Sequence, residues 1–337
     1  MKDEMTSDKL FASSPLEDVA IIVPVFNDWQ PLCQLLGEID TNIGSSARQG
    51  QVVVVDDGSY TNGADLLRIQ KYANIRVIHL VRLLSNQGHQ RAIAIGIVHL
   101  VLAGTGAESV IVMDGDGEDR PEHISRLLHE LYKGDYSVVF ARRTQRSERV
   151  LFRLLYSLYR LVYWLLLGVS VRWGNFSAMR ASALPVLAVS PDLWNHYAAS
   201  VTRSRLRFGT VGLPRGKRYS GESHMNYTNL VIHGLSSIAA SSEVLGARLL
   251  IALSALLAFF SFAFGVEVAA RLWTHVALPN IAIAMSLTLA GLTMQGIVFT
   301  LLFTLIVLHR RTQAKVIPLR DAQVYIGSVE QIVPAGK

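Results

Sequence analysis

The stretch Met113–Pro121, MDGDGEDRP, contains the residues with the clearest chemical potential in this chain. It follows an apolar run, Ser109–Met113, that is typical of a buried strand. Asp114 and Asp116 lie two residues apart on a glycine-rich turn, so both carboxylates can reach one hard cation, with Asp119 close behind. Oxygen ligands of this kind suit Mg²⁺ or Mn²⁺ holding a diphosphate. The pattern therefore predicts a divalent cation site.

Two other interpretations of this turn need testing. A calcium loop of the EF-hand kind requires glycine at its sixth position and glutamate at its twelfth. Those positions hold Asp119 and Ser125, which excludes it. A solvated acidic loop without a ligand remains an open alternative, because two aspartates alone do not define a site.

Strand-like and helix-like stretches alternate from Val19 onward, which indicates an α/β fold with a mainly parallel sheet covered on both faces. The predicted strands are Ala20–Phe26, Gln51–Asp56, Ile75–Leu80, Ser109–Asp114 and Ser137–Ala141. The predicted helices are Trp29–Ile43, Ala64–Tyr72, His89–Ala103 and one opened by Pro121. Ligands of such sheets lie beyond the carboxyl ends of the strands. A second acidic turn, Asp56-Asp57-Gly58-Ser59, falls at the same edge as the first.

Composition restricts the class of protein. Half of the 337 residues are apolar, which suggests that part of the chain lies in lipid, and the formal charge of +6 favours anionic partners. Cys33 is the only cysteine, so an intrachain disulfide is excluded. The sequence contains no GxxxxGK[ST], HExxH or GxSxG motif, and its glycines do not form a GxGxxG fingerprint. Residues 1–18 are predicted to be a flexible tail.

Three apolar segments point to a membrane. Residues 149–171 favour an amphipathic helix at the membrane interface, with a buried core helix as the alternative. Leu249–Val266 and Ile281–Leu308 are free of charged residues and long enough to be transmembrane helices. Most nearby basic residues lie outside the pair of spans, before the first or after the second, so both flanks are expected in the cytosol.

Two basic clusters lie near the predicted ligand edge. Arg142, Arg143 and Arg146 follow the fifth strand, and Arg215 and Arg218 follow an apolar run, Thr210–Leu213. Guanidinium groups bind phosphate with paired donors, so the clusters suggest a place where two phosphorylated groups meet. A basic face attracted to anionic lipid is the alternative. Nucleic acid is disfavoured, because two predicted spans accompany no recognised nucleic-acid module.

Five motifs in order resemble glycosyltransferase family 2, and within it the polyprenyl-phosphate glycosyltransferases related to dolichol-phosphate mannose synthase and bactoprenol glucosyltransferase. They are VPVFND (Val23–Asp28), VVDDGS (Val54–Ser59), SNQGHQRAIAIGI (Ser85–Ile97), MDGDGEDRPEHI (Met113–Ile124) and RGKRYSGESHM (Arg215–Met225). The resemblance covers about Val19–Leu308. It implies a GT-A type catalytic domain that moves a sugar from a nucleotide-sugar to the phosphate of a polyprenol, with inversion.

The resemblance also implies roles for single residues. Asp114 and Asp116 would bind the cation and diphosphate, with Asp116 and Asp119 taking part in catalysis. The remaining implied roles are nucleotide-sugar binding by Pro24, Asp28, Asp57 and Asp114, lipid-phosphate binding by Arg142, Arg146, Arg215, Arg218 and Ser223, and catalysis by Arg215 and Arg218.

Several positions depart from the family pattern. Asp28 stands where glutamate is usual and His224 where lysine is usual, and the acidic turn more often reads DADLQDPP. Gly174-Asn175-Phe176 resembles a family GDF element whose aspartate is replaced by an amide. Because Asn175 cannot accept a proton as a base, a mechanism that needs a carboxylate there is weakened.

The sequence therefore predicts a metal-dependent hexosyltransferase with a GT-A domain over residues 19–245, two transmembrane helices over 246–309 and a cytoplasmic tail over 310–337. It is expected in the bacterial inner membrane with its catalytic domain cytoplasmic, bound to membrane lipid and, by resemblance, as a homo-oligomer such as a tetramer. Transfer to another lipid or glycan, and a non-catalytic membrane scaffold, remain alternatives. The donor, UDP- or GDP-linked, and the polyprenol length stay open.

Overall fold

The computed structural model describes residues 17–143, 173–219, 242–274, 280–309 and 316–333. The chain divides into two compact units. The first contains the sheet and consists of residues 1–147, 172–223 and 316–337, and the second consists of residues 148–171 and 224–315. The predicted interfacial helix over 149–171 lies outside the described residues, as do Arg146 and Ser223.

An eight-stranded sheet forms the first unit, in the order β7-β5-β6-β4-β1-β2-β3-β8. Its strands are β1 (Glu17–Val25), β2 (Ala47–Asp56), β3 (Ile75–Leu83), β4 (Ser109–Val112), β5 (Val138–Arg143), β6 (Trp173–Arg180), β7 (Phe208–Leu213) and β8 (Ile326–Ile332). The pairs β1–β2, β1–β4, β2–β3 and β5–β7 are parallel, whereas β6 runs antiparallel to β4 and β5, and β8 runs antiparallel to β3. The predicted mainly parallel sheet is confirmed.

Helices cover both faces of the sheet. They are α1 (Trp29–Ser46), α2 (Ala64–Ile69), α3 (His89–Ala103), α4 (Ile124–Lys133), α5 (Leu184–Ala188), α6 (Tyr197–Arg203) and α9 (Pro318–Asp321), with 3-10 turns at Pro121–His123, Ala181–Ala183, Pro191–Trp194 and Ala322–Tyr325. Ile21 and Val23 of β1 enter one core cluster, and the alternating Ala20 and Ile22 enter the other. Strands buried on both faces read as continuous apolar runs, which is why the sequence revealed them.

The segment after the second span departs from the predicted tail. Residues 316–333 fold into the first unit, where β8 pairs with β3 in register from Ile78–Ile332 to Leu83–Ile326. Ile332 is 4% exposed and packs in a core cluster, and Ala322 is fully buried. This part of the predicted tail is therefore an edge strand of the sheet.

Two long apolar helices make up the described part of the second unit, α7 (Ser242–Thr274) and α8 (Asn280–His309). Both are long and apolar enough to cross a membrane, and their most apolar windows are 0% and 11% buried. A helix that is apolar all round yet unburied in protein is suited to lipid. The prediction of two helices able to span a membrane is confirmed.

A histidine pair lies at the edge of the sheet away from the acidic turns. His79 of β3 and His99 of α3 form a 3.1 Å hydrogen bond between Nδ1 and Nε2, beside a cavity of about 340 Å³. Burial lowers the pKa of His99 to about 4, with help from His79. Burial likewise lowers the pKa of His79. Both imidazoles are therefore neutral at pH 7.

This pair predicts that the first unit becomes less stable in mild acid. Unfolded histidine has a pKa near 6.5, so the unfolded state takes up protons first as the pH falls, and stability is lost between about pH 6.5 and 4. We expect His99 to account for about 2 kcal/mol of that loss. Urea unfolding at pH 7.5 and at pH 5.0 measures the change in the free energy of unfolding between the two pH values. This change should be smaller for His99→Gln than for the wild type. Equal differences would contradict the prediction.

Candidate functional site

The acidic turn after β4 is organised by its own carboxylates. Asp119, 8% exposed, accepts a 2.9 Å hydrogen bond from the backbone N–H of Asp114. Asp116 Oδ1 accepts from the backbone N–H of Glu118 at 2.9 Å. Asp119 therefore shapes the turn, whereas the side chains of Asp114 and Asp116 are 28% and 15% exposed. The predicted cation ligands lie at the carboxyl end of a buried strand, as the fold class requires.

A segment after β7, Pro214–Tyr219, lies against this turn, and we call it the arginine segment. The N–H of Gly216 donates to the carbonyl of Glu118 at 2.8 Å, and the N–H of Tyr219 donates to the carbonyl of Asp116 at 3.1 Å. Gly117 has φ = 86°, and a Cβ there would lie 2.3 Å from Cε2 of Tyr219. Glycine is therefore required at position 117 both for its backbone conformation and for contact with the aromatic ring.

Ion pairs join the two segments. Arg218 Nη2 lies 2.7 Å from Asp116 Oδ2, and Arg218 Nε lies 3.7 Å from Glu118 Oε1. Arg215 pairs with the other oxygen of Glu118. The structure thus brings together the acidic turn and the basic cluster that the sequence placed at one edge. Glu118, which the sequence argument did not single out, contacts both arginines.

A chain of amide groups reaches the acidic turn from α6. The backbone N–H of Tyr197 donates to Gln90 Oε1 at 2.8 Å, and Gln90 Nε2 donates to Asn175 Oδ1 at 3.2 Å. Asn175 Nδ2 lies 2.9 Å from His89 Nε2, which in turn lies 3.1 Å from Asp114 Oδ1. Asn175 is therefore linked to Asp114 of the acidic turn through His89. His89 stands in a motif that the sequence highlighted, yet nothing in its type or spacing marked it individually.

Asp57 is held by the backbone of the loop that precedes α3. Its side chain is buried, with the residue 4% exposed, and its two oxygens accept from the backbone N–H groups of Gln87 at 2.7 Å and Gly88 at 2.9 Å. Burial raises the pKa of Asp57, although these two hydrogen bonds oppose the shift. Asp57 thus fixes the loop that leads into α3 and to His89. A role in nucleotide binding remains a prediction.

We expect Asp57→Asn to disturb this loop. The amide NH₂ of asparagine would face a backbone donor, leaving a buried N–H without an acceptor, at about 1–3 kcal/mol. Because the loop leads directly to His89, we also expect the contact between His89 and Asp114 to be disturbed. Urea unfolding measures the loss of stability, which Asp65→Asn, an exposed change on α2, should not show.

The other predicted site residues occupy the same edge of the sheet. Pro24 is buried next to the acidic turn, and its carbonyl lies 3.2 Å from where a Cβ on Gly115 would be. Asp28 is exposed just before α1. Arg142, predicted to follow β5, instead lies within it, exposed and in register with Gly212 of β7, which leads into the arginine segment.

The donor set fits a divalent cation that is completed by a ligand. Burial raises the pKa of Asp116, and the neighbouring charge of Asp114 adds to the shift, while Arg218 and Arg215 oppose it. This crowding of negative charge is what a cation would relieve. Within the described part of the chain, no group of three or more His, Cys, Asp or Glu side chains could hold a metal ion. Two carboxylates can bind Mg²⁺ or Mn²⁺ by themselves with water completing the coordination, and a substrate phosphate would supply further oxygens.

Comparison with known proteins agrees with this arrangement. Residues 20–187 match the family model of glycosyl transferase family 2, which covers β1 to β6 and the acidic turns. The chain carries a glycosyl transferase family 2 domain. One curated relative is the undecaprenyl-phosphate 4-deoxy-4-formamido-L-arabinose transferase of Klebsiella pneumoniae (strain 342), 32% identical over 136 residues. That match covers 40% of this chain and 40% of the relative's length.

Two solved structures of phosphoglycerate-glycoside synthases are similar to this chain in fold. The Mycobacterium tuberculosis glucosyl-3-phosphoglycerate synthase, in complex with Mn²⁺, UDP-glucose and phosphoglyceric acid, has a TM-score of 0.47 and 16% identity, over 73% of this chain and 86% of that one. The mannosyl-3-phosphoglycerate synthase of Rubrobacter xylanophilus has a TM-score of 0.45 and 16% identity, over 67% and 73%.

Proposed function

We propose that this protein transfers a monosaccharide from a nucleotide-sugar to polyprenyl phosphate, with inversion at the anomeric carbon. One observation carries the proposal: the acidic turn, which lies within the segment that matches glycosyl transferase family 2, is paired with two arginines that follow that segment. The name of the Klebsiella pneumoniae relative, an undecaprenyl-phosphate sugar transferase, supports a polyprenyl-phosphate acceptor.

The proposed acceptor, a phosphate monoester, does not require a strong general base from the protein. A phosphate monoester has a second pKa near ~6, so it is substantially ionised at neutral pH and can attack without a strong general base. Asn175, which cannot act as a base, is compatible with this chemistry. Catalysis then depends on holding the acceptor oxygen in line with the anomeric carbon and on stabilising the leaving diphosphate.

The residues divide this work by their chemistry. Arg215 and Arg218, with Arg142, Arg146 and Ser223, would bind the acceptor phosphate and the diphosphate through charged hydrogen bonds. Pro24, Asp28 and Asp57 belong to the proposed nucleotide pocket. Asp114 and Asp116 would hold a divalent cation, which when bound neutralises charge on the leaving diphosphate.

Membrane attachment follows from α7 and α8. If both helices cross the membrane, the chain returns after two crossings to the side on which it started. This return is necessary, because β8, which follows the helices, pairs with β3, which precedes them. Arg248 precedes the first span and basic residues follow the second, which favours a cytosolic sheet unit. We place the protein in a bacterial inner membrane as a homo-oligomer.

A specific observation supports a second candidate function. Asn175 replaces a family aspartate, so the protein could be a scaffold that binds nucleotide without turnover. A transfer assay distinguishes the transferase from the scaffold. It measures transfer of labelled sugar from a panel of UDP- and GDP-sugars to polyprenyl phosphate, with and without Mg²⁺ or Mn²⁺. A cation-dependent glycolipid from one donor supports the transferase. Nucleotide binding without any product supports the scaffold, and product on another lipid or glycan would replace the proposed acceptor.

Asn175→Asp provides a further prediction. The new carboxylate would lie beside His89 and close to Asp114, where it adds negative charge. It could act as a base, but an ionised acceptor phosphate does not need one. We expect turnover to rise by no more than about tenfold. A gain of several orders of magnitude in the transfer assay would show that a carboxylate base is required.

A further inference from the structure

Carboxylates and guanidinium groups of the site form ion pairs with one another in this structure. Asp116 is paired with Arg218, and Glu118 is paired with Arg215 and approached by Arg218. The side chains of Asp116 and Glu118 are only 15% and 17% exposed, so these pairs are less screened than ordinary surface ion pairs. The groups proposed to bind the cation and the phosphates are therefore already neutralising each other.

The space between the segments is also small. A cavity of about 20 Å³, lined among others by Asp114, Glu118, Asn175 and Arg215, lies at the acidic turn. That volume accommodates about one water molecule. Glu118 and Arg215 both line this cavity, so separation of that ion pair would enlarge the space available to a phosphate group.

We propose that Glu118 is a positioning residue which, with Asp116, keeps Arg215 and Arg218 paired until a divalent cation binds at the acidic turn. The cation then replaces the guanidinium groups as partner of the carboxylates, and the arginines become available to a phosphate ligand. The inference rests on the proposed function for the identity of cation and phosphate. Because both exchanges use the same pairs, cation and phosphate binding must strengthen each other.

The first test measures Mn²⁺ binding by electron paramagnetic resonance on the full-length protein in detergent, without nucleotide. Arg218→Gln removes the competitor for Asp116 and should tighten Mn²⁺ binding about fivefold. Arg218→Lys retains the competing charge and should bind Mn²⁺ nearly as the wild type does. Arg120→Gln is the matched control, because it removes a charge at the same cavity from a side chain that is paired with neither Asp116 nor Glu118 in the described ion pairs.

The second test measures binding of inorganic pyrophosphate in EDTA by calorimetry. Glu118→Gln frees Arg215 and should tighten pyrophosphate binding about fivefold. Glu122→Gln removes a nearby exposed carboxylate that is not paired with either arginine and should have a smaller effect. A residue that merely supported the fold would weaken binding when replaced, so a gain distinguishes the positioning role.

The outcomes are decisive in both directions. Tighter Mn²⁺ binding by Arg218→Gln than by Arg120→Gln, together with tighter pyrophosphate binding by Glu118→Gln, supports the exchange. Equal shifts in variant and control, weaker binding, or no Mn²⁺ binding by the wild type overturns it. The measurements use neither donor nor acceptor, so the exchange can stand if the transfer assay fails, and transfer can stand if the exchange fails.

Discussion

Replacing Asp116 with alanine is expected to lower the rate of sugar transfer by on the order of 10³ or more, the largest catalytic effect of any single change in this chain. The variant loses one of two proposed cation ligands and the carboxylate that pairs with Arg218 at 2.7 Å. It also loses the acceptor for the Glu118 N–H, so the turn itself is loosened. The measurement is kcat for labelled glycolipid formation at saturating nucleotide-sugar.

Two further variants separate the causes of that loss. Asp116→Asn keeps the acceptor oxygen for the Glu118 N–H but removes the charge, so it should restore the turn without restoring activity. Asp65→Ala, an exposed change on α2, controls for loss of a carboxylate elsewhere in the same unit. Transfer by Asp116→Ala at the wild-type rate would refute the cation assignment.

The parallel half of the sheet could be predicted because its strands are buried on both faces. Val52–Val55 of β2, for example, is a continuous apolar run, with alternate residues entering opposite core clusters. The acidic turns could be placed at one edge because parallel strands end together there. Sequence periodicity and fold-class geometry were sufficient for these conclusions.

The rest depended on long-range pairing that periodicity does not encode. β6 contains Gly174-Asn175 and follows a segment for which the sequence predicts a helix, so its antiparallel place between β4 and β5 had no local signal. Nor could spacing show that Glu118 would bridge Arg215 and Arg218 from a segment about a hundred residues away. Nor could spacing show that Asp57 accepts hydrogen bonds from the backbone of Gln87 and Gly88.

The edge strand β8 provides the prediction with the largest expected effect on stability. Ile332 is 4% exposed and packs in the core opposite Ile78, although the sequence places it beyond two membrane helices. Ile332→Ala leaves a cavity in that core and should lower the free energy of unfolding of the first unit by about 2–4 kcal/mol. Urea unfolding in detergent, followed by tryptophan fluorescence, measures the change.

Val329→Ala is the matched control on the same strand. Val329 is 47% exposed and in register with Val81, so its truncation keeps the backbone pairing and should change the free energy of unfolding by no more than about 0.5 kcal/mol. A tail that merely lay along the sheet would respond equally to both substitutions. A large loss confined to Ile332→Ala would mean that the stability of the sheet depends on a strand that follows both apolar helices in the chain.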